Sequence, residues 1–121
     1  MDIVHVFVST GRFRSLAEVR AFVEPAYIPD GDAEPSAFAR EVGQSEYEPG
    51  CIECVHRPAA VPLPELLAGS SYGGWWLPRL PAGRRADAAV CVFPPNRIAR
   101  PADCSLEYVG PFAYRAEQGD G

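Results

Sequence analysis

Ile3-Val4-His5-Val6-Phe7-Val8 is the stretch on which the fold turns. Branched and aromatic side chains dominate it, which is the composition of a strand. A strand with one wet face alternates apolar and polar residues. A run that stays apolar almost throughout belongs to an interior strand, of the kind covered on both faces. Thr10-Gly11 ends the run. Ser15-Leu16-Ala17-Glu18 then forms a capping box, with the Ser15 hydroxyl accepting from the Glu18 amide and Glu18 reaching back. Leu16, Val19, Phe22 and Val23 recur at helical spacing, and Pro25 stops that helix.

Further along, Pro29-Asp30-Gly31-Asp32 has the composition of a turn. Residues 35–42 predict a second helix, with Phe38 and Val42 on one face and Gly43 as its stop. Ile52 to Val55 predicts a second strand, and Pro64 to Ala68 a third helix with proline in its first turn. Residues 72–80 hold Trp75-Trp76-Leu77 as a helical turn or loop. Ala88 to Phe93 predicts a third strand. Leu106 to Val109 with Phe112 to Tyr114 predicts a fourth, bent or broken by Gly110-Pro111. The order β-α-α-β-α-β-β implies an α+β fold: a single sheet of about four strands with helices packed mainly on one face. Residues 1–116 form one domain, and 117–121 a frayed tail.

A chain of 121 residues with 47% hydrophobic content can bury a core without metal or disulfide staples. With 22% charged residues it is not a disordered polymer, although 13 prolines and 11 glycines imply many loops and short elements. Met1-Asp2 leads straight into the first strand with no secretory signal, and no apolar run approaches the roughly 18 residues of a membrane span. The expected compartment is therefore the cytoplasm. Cys51, Cys54, Cys91 and Cys104 are then expected as reduced thiols.

Charge is unevenly distributed. All eleven basic residues are arginine, and they are scattered. Residues 1–54 carry a net charge of -6 and residues 55–121 carry +1. Between Glu24 and Glu53 stand eight acids, opposed by Arg40 alone. Such a surface repels nucleic acid and attracts basic proteins, chiefly by speeding their association. A solvated acidic face that merely keeps the chain soluble is the plainer reading of the same residues.

The candidate chemistry is thin. Cys51-Ile52-Glu53-Cys54 with His56 is the nearest approach to a zinc or thiol site. Cys91 and Cys104, thirteen positions apart, do not supply a matching second pair, and in a strand positions 51 and 54 point to opposite faces. Asp30, Asp32 and Glu34 alternate as in half of a calcium loop, but Pro35 occupies the sixth position where glycine is needed. No nucleophile elbow or phosphate loop is present, and His5 inside a strand reads as a core histidine. No cofactor or metal is expected. Trp75 and Trp76 cannot both point inward from one element. One enters the core and the other is a surface anchor, and the sequence leaves open which.

Several segments in order resemble one family. These are Val4-His5-Val6-Phe7-Val8 with Phe13-Arg14-Ser15, the stretch 35–43 followed by Glu46-Tyr47-Glu48 and Ile52-Glu53, and the stretch 106–114. Together they resemble the bacterial immunity-protein family numbered twenty-two, which neutralises toxins of polymorphic and contact-dependent competition systems. The resemblance implies a non-catalytic protein whose partner is a cognate toxin domain, with a basic, nuclease-like toxin as one such partner. The acidic charge and the lack of a long apolar run lead to the expectation of no nucleic-acid or membrane partner, and the free protein is expected as a monomer or a homodimer. The contact surface expected is Asp30, Asp32, Glu34, Glu41, Glu46 and Glu48, with Tyr47 and Trp76 as anchors. The alternatives are a zinc- or thiol-dependent protein using Cys51, Cys54 and His56, and a general protein-binding adaptor.

Overall fold

The computed structural model describes residues 1–27, 29, 31 and 33–115, the side chain of Tyr27 excepted. Asp30, Asp32 and the expected tail 117–121 lie outside the described residues.

The opening run forms β1 (Asp2–Ser9), and Val4, Val6, Phe7 and Val8 are completely buried. The capping box follows. Ser15 Oγ accepts from the Glu18 amide at 3.2 Å, while Glu18 reaches one residue beyond the cap, accepting from the Arg14 amide at 2.7 Å. This starts α1 (Leu16–Val23), which buries Val19 and Val23. Two-residue strands β2 (Ala26–Tyr27) and β3 (Ala33–Glu34) pair across the expected turn. Ser36 caps α2 (Ala37–Val42) by accepting from the Ala39 amide at 3.0 Å. Gly43 closes it at φ 67, where a Cβ would also strike the Arg100 guanidinium at 2.8 Å.

Next come β4 (Gln44–Glu46) and the long β5 (Ile52–Pro62), then the short helices α3 (Leu63–Leu66) and α4 (Gly73–Trp76). The chain finishes with β6 (Arg85–Val92), β7 (Arg97–Ile98) and β8 (Glu107–Tyr114). The main sheet has the order β5-β6-β1-β8, with every ladder antiparallel. β5 outruns its expected end at Val55. As an edge strand it tolerates Pro58 and absorbs a bulge between His56 and Val61. β8 is likewise an edge strand and runs unbroken. Gly110 takes φ 136 beside a register shift opposite Val6 and Phe7, so the Gly-Pro pair bends β8 without ending it.

Two expectations about the architecture are overturned. The sheet is not single: β2-β3 and β4-β7 form separate two-stranded ribbons beside the four-stranded sheet. Nor are the helices on one face. Phe7, Ala88, Val90 and Val92 pack with Val19 and Val23 of α1 and with Phe38 and Val42 of α2. Val4, Val6, Val8, Ala89, Cys91 and Phe112 pack with Leu63 and Leu66 of α3, with Leu67, and with Trp76 of α4. The two sets alternate along β1 and β6, so each central strand contributes to a core on either side. This is the physical meaning of the unbroken apolar run in β1. His5 is half-buried, its Nδ1 2.9 Å from the Tyr108 hydroxyl, and burial holds its pKa below the ordinary histidine value. Among the described residues no helix is long and apolar enough to cross a membrane.

Candidate functional site: an acidic cleft beside the sheet

The two ribbons build the site. β4 pairs with β7, placing Gln44 opposite Ile98 and Glu46 opposite Arg97. β3 ends at Glu34, and the two segments converge on an open cleft of about 270 Å³ lined by Pro25, Ala33, Glu34, Pro35, Gln44, Ser45, Glu46 and Tyr47. Glu34 and Glu46 are exposed there, and Tyr47 is half-buried. A wider recess of about 610 Å³, lined by Met1, Asp2, Ile3, His5 and residues 94–98, also includes Glu46. Glu46 therefore stands on the ridge between two depressions. Among the described residues the ion pairs are Arg84–Glu107 and Arg100–Asp103, so no base is tied to Glu34, Glu46 or Glu48.

The other expected contact residues fall in different places. Glu48 is exposed, and its carboxylate accepts from the Gly50 amide at 3.3 Å, capping the 3-10 turn Pro49–Cys51. Glu41 lies on α2, with its carboxylate engaged by Ser105 at the surface. It accepts from the Ser105 amide at 2.7 Å and from the Ser105 hydroxyl at 2.9 and 3.0 Å. Trp76 is not a surface anchor. It is 0% exposed, stacks on Phe112 at 6.0 Å, and donates its indole N–H to the Ser71 carbonyl at 3.1 Å. The exposed member of the pair is Trp75, at 46%.

One residue that organises the cleft is not singled out by the sequence. Asn96 follows the cis Pro94-Pro95 bond and is 7% exposed. Its Oδ1 accepts from the Glu48 amide at 2.7 Å and from Gln44 Nε2 at 2.9 Å. Its Nδ2 donates to the carbonyls of Phe93, Glu48 and Cys51 at 3.0, 3.1 and 3.4 Å. Gln44 Nε2 also donates to the Glu46 carbonyl at 2.8 Å. The backbone carrying Glu46, Tyr47 and Glu48 is thus held to the end of β6 by one buried amide. A turn-forming Pro-Pro-Asn is its one trace in the sequence, and composition cannot distinguish a turn asparagine from a hub. Asn96→Ala should cost about 2–3 kcal/mol, from several net hydrogen bonds near 1 kcal/mol each. The check is the urea midpoint at constant m-value; a change below about 0.5 kcal/mol, the size of a neutral surface substitution, would remove Asn96 from this role.

The residues of the zinc or thiol alternative are not gathered. Cys51 packs against the α3–α4 core and Cys54 against the α1–α2 core, on opposite faces of the sheet. His56 Nε2 lies 3.0 Å from the Phe13 carbonyl. Burial raises the Cys54 thiol to about 11, away from the range of a reactive thiolate. Among the described residues no three of His, Cys, Asp and Glu stand together as a metal site.

Comparison with known proteins adds one match. The family model described as Immunity protein 22 matches residues 6–80, a span that includes the second half of β1, both helices of the α1–α2 face, β3, β4 and the cleft they line. No curated protein and no solved structure matches the chain.

Proposed function

The chain belongs to the Immunity protein 22 family, and from that premise we propose that it binds a cognate bacterial toxin domain and blocks its active site or an essential surface, without catalysis. The role of the family is toxin immunity. The contact surface and the manner of blocking are the present reading.

One observation carries that reading: exposed Glu34 and Glu46, in no ion pair among the described residues, share an open cleft with Tyr47, and exposed Glu48 follows next in the chain. Carboxylates free of internal ion pairs are available to a partner's bases. Concentrated on one flank, they draw a basic surface in from a distance. A toxin that acts on nucleic acid has such a surface, and an acidic flank can take the place of its substrate. Asp30 and Asp32 belong to the same acidic stretch of the sequence, outside the described residues. Glu41 contributes charge but keeps its hydrogen bonds to Ser105. Tyr47 remains an anchor in this reading, and Trp75 takes the part expected of Trp76. The protein acts in the cytoplasm of the toxin-bearing cell, as a monomer or homodimer.

The test is co-expression with the adjoining reading frame. Expressed alone, that frame should arrest growth; with this protein, growth should return and the two should copurify. A harmless neighbour, or one still toxic in the presence of this protein, would sink the proposal.

A further inference from the structure

On the α3–α4 side of the sheet the structure holds a third depression of a different kind, which shares Asp2 and Pro94 with the wider recess but none of the residues lining the cleft. It has a volume of about 270 Å³ and is lined by Asp2, Gly50, Cys51, Glu53, Ser71, Tyr72, Phe93, Pro94 and Tyr114. Three aromatic rings form a cluster within it. Tyr72 stacks on Tyr114 at 4.7 Å and 22°, Phe93 meets Tyr114 edge-on at 5.8 Å, and Tyr72 and Phe93 are 6.3 Å apart. Tyr72 is 44% exposed, and its backbone sits at φ 58, a left-handed conformation that costs a bulky residue free energy. That conformation starts α4 and brings the ring over Tyr114.

Two carboxylates, Asp2 and Glu53, line the recess with these rings. Glu53 is held in place by Ser71, whose amide donates to its Oε1 at 3.1 Å and whose hydroxyl donates to Oε2. A carboxylate has about four lone-pair sites, so further donors can be accepted. Both acids act on the Tyr114 hydroxyl, which burial and then the nearby negative charge raise to about 12. Among the described residues no basic side chain lines the recess.

We propose that this recess receives an arginine side chain of a protein partner. The guanidinium stacks on the exposed Tyr72 ring while its N–H groups donate to Glu53 and Asp2. Aromatic faces attract cations, and a planar guanidinium both stacks and bonds carboxylates in pairs, which an ammonium cannot do. The toxin is the natural source of that arginine. Only this last identification rests on the immunity reading; the recess and its chemistry do not.

The experiment titrates N-acetyl-arginine amide into the full chain and follows its aromatic ring signals by NMR. Saturable shifts on Tyr72, Phe93 and Tyr114 are expected, with none from N-acetyl-citrulline amide, the uncharged isostere. Asp2→Asn and Glu53→Gln should each weaken binding about fivefold, the loss of one charge-assisted contact of about 1 kcal/mol. Asp2→Asn leaves every Ser71 contact in place, so it reads the site even if Glu53→Gln disturbs α4. An absent or unsaturable response, or equal responses to arginine and citrulline, overturns the proposal. A bound arginine with a harmless neighbouring frame would keep this site and discard the toxin.

Discussion

Trp76→Ala should destabilise the chain by about 3–5 kcal/mol, the range for emptying a large aromatic site in a core. Small domains are stable by only about 5–15 kcal/mol, so this one change should bring unfolding close to ambient temperature. The argument is geometric. Trp76 is the largest fully buried side chain, and it packs among Val4, Val6, Leu63, Leu66 and Phe112 on the α3–α4 face. α3 and α4 are four residues each, too short to be helical without that packing. Removing the indole also takes away the N–H that the Ser71 carbonyl accepts. Trp75→Ala, one residue away and 46% exposed, should change stability by less than about 0.5 kcal/mol. Urea unfolding of both variants decides it. Equal losses would mean that the two indoles share the core, and the assignment of inward and outward residues would fail.

This pair also marks the limit of what sequence encodes locally. Adjacent tryptophans on a short helix must diverge, and that much follows from geometry alone. Which one turns inward depends on where α4 lies over the sheet, which its four residues do not encode. The fold obeys the same rule. β1 and β6 are legible as apolar runs, and α1 and α2 by apolar residues at helical spacing with the Ser15 cap or the Gly43 stop. β2, β3, β4 and β7 are not, because two or three residues cannot display a period of two. Element order alone predicts the helices on one face. The near-continuous apolarity of Ile3 to Val8 argues for cover on both faces. At the cleft, the acidic bias between Glu24 and Glu53 is legible as charge. Its division is not: Glu41 bonds Ser105 while Glu34 and Glu46 stay outside any ion pair among the described residues, a difference set by contacts 64 residues away in sequence. Asn96 is hidden for the same reason, since its bonds to Glu48 and Gln44 span 48 and 52 residues.

Reversing Glu46 and Glu48 to arginine should slow association with the toxin by about 10–100-fold, within the range over which electrostatic steering acts. The double change moves the net charge from -5 to -1 and places the new bases where the acidic flank is densest. Glu46 is exposed and lines both depressions, and Glu48 is exposed beside it, so neither substitution opens a cavity. Replacing Glu48 removes the hydrogen bond from the Gly50 amide to its carboxylate, while Asn96 still holds the backbone of the segment. Stability should therefore fall by no more than about 1 kcal/mol, the scale of removing a helix cap. Glu41→Gln serves as the control: it removes one charge from the same half of the chain but outside the cleft, and its effect on association should be small. Salt separates the possible causes. Added salt should slow the parent chain much more than the Glu46→Arg, Glu48→Arg variant, because exposed charges act over a screening length of about 8–10 Å. If the double variant associates at the parental rate with the parental salt dependence, the acidic cleft is not the toxin-binding surface, and the arginine recess between Tyr72 and Glu53 becomes the place to look.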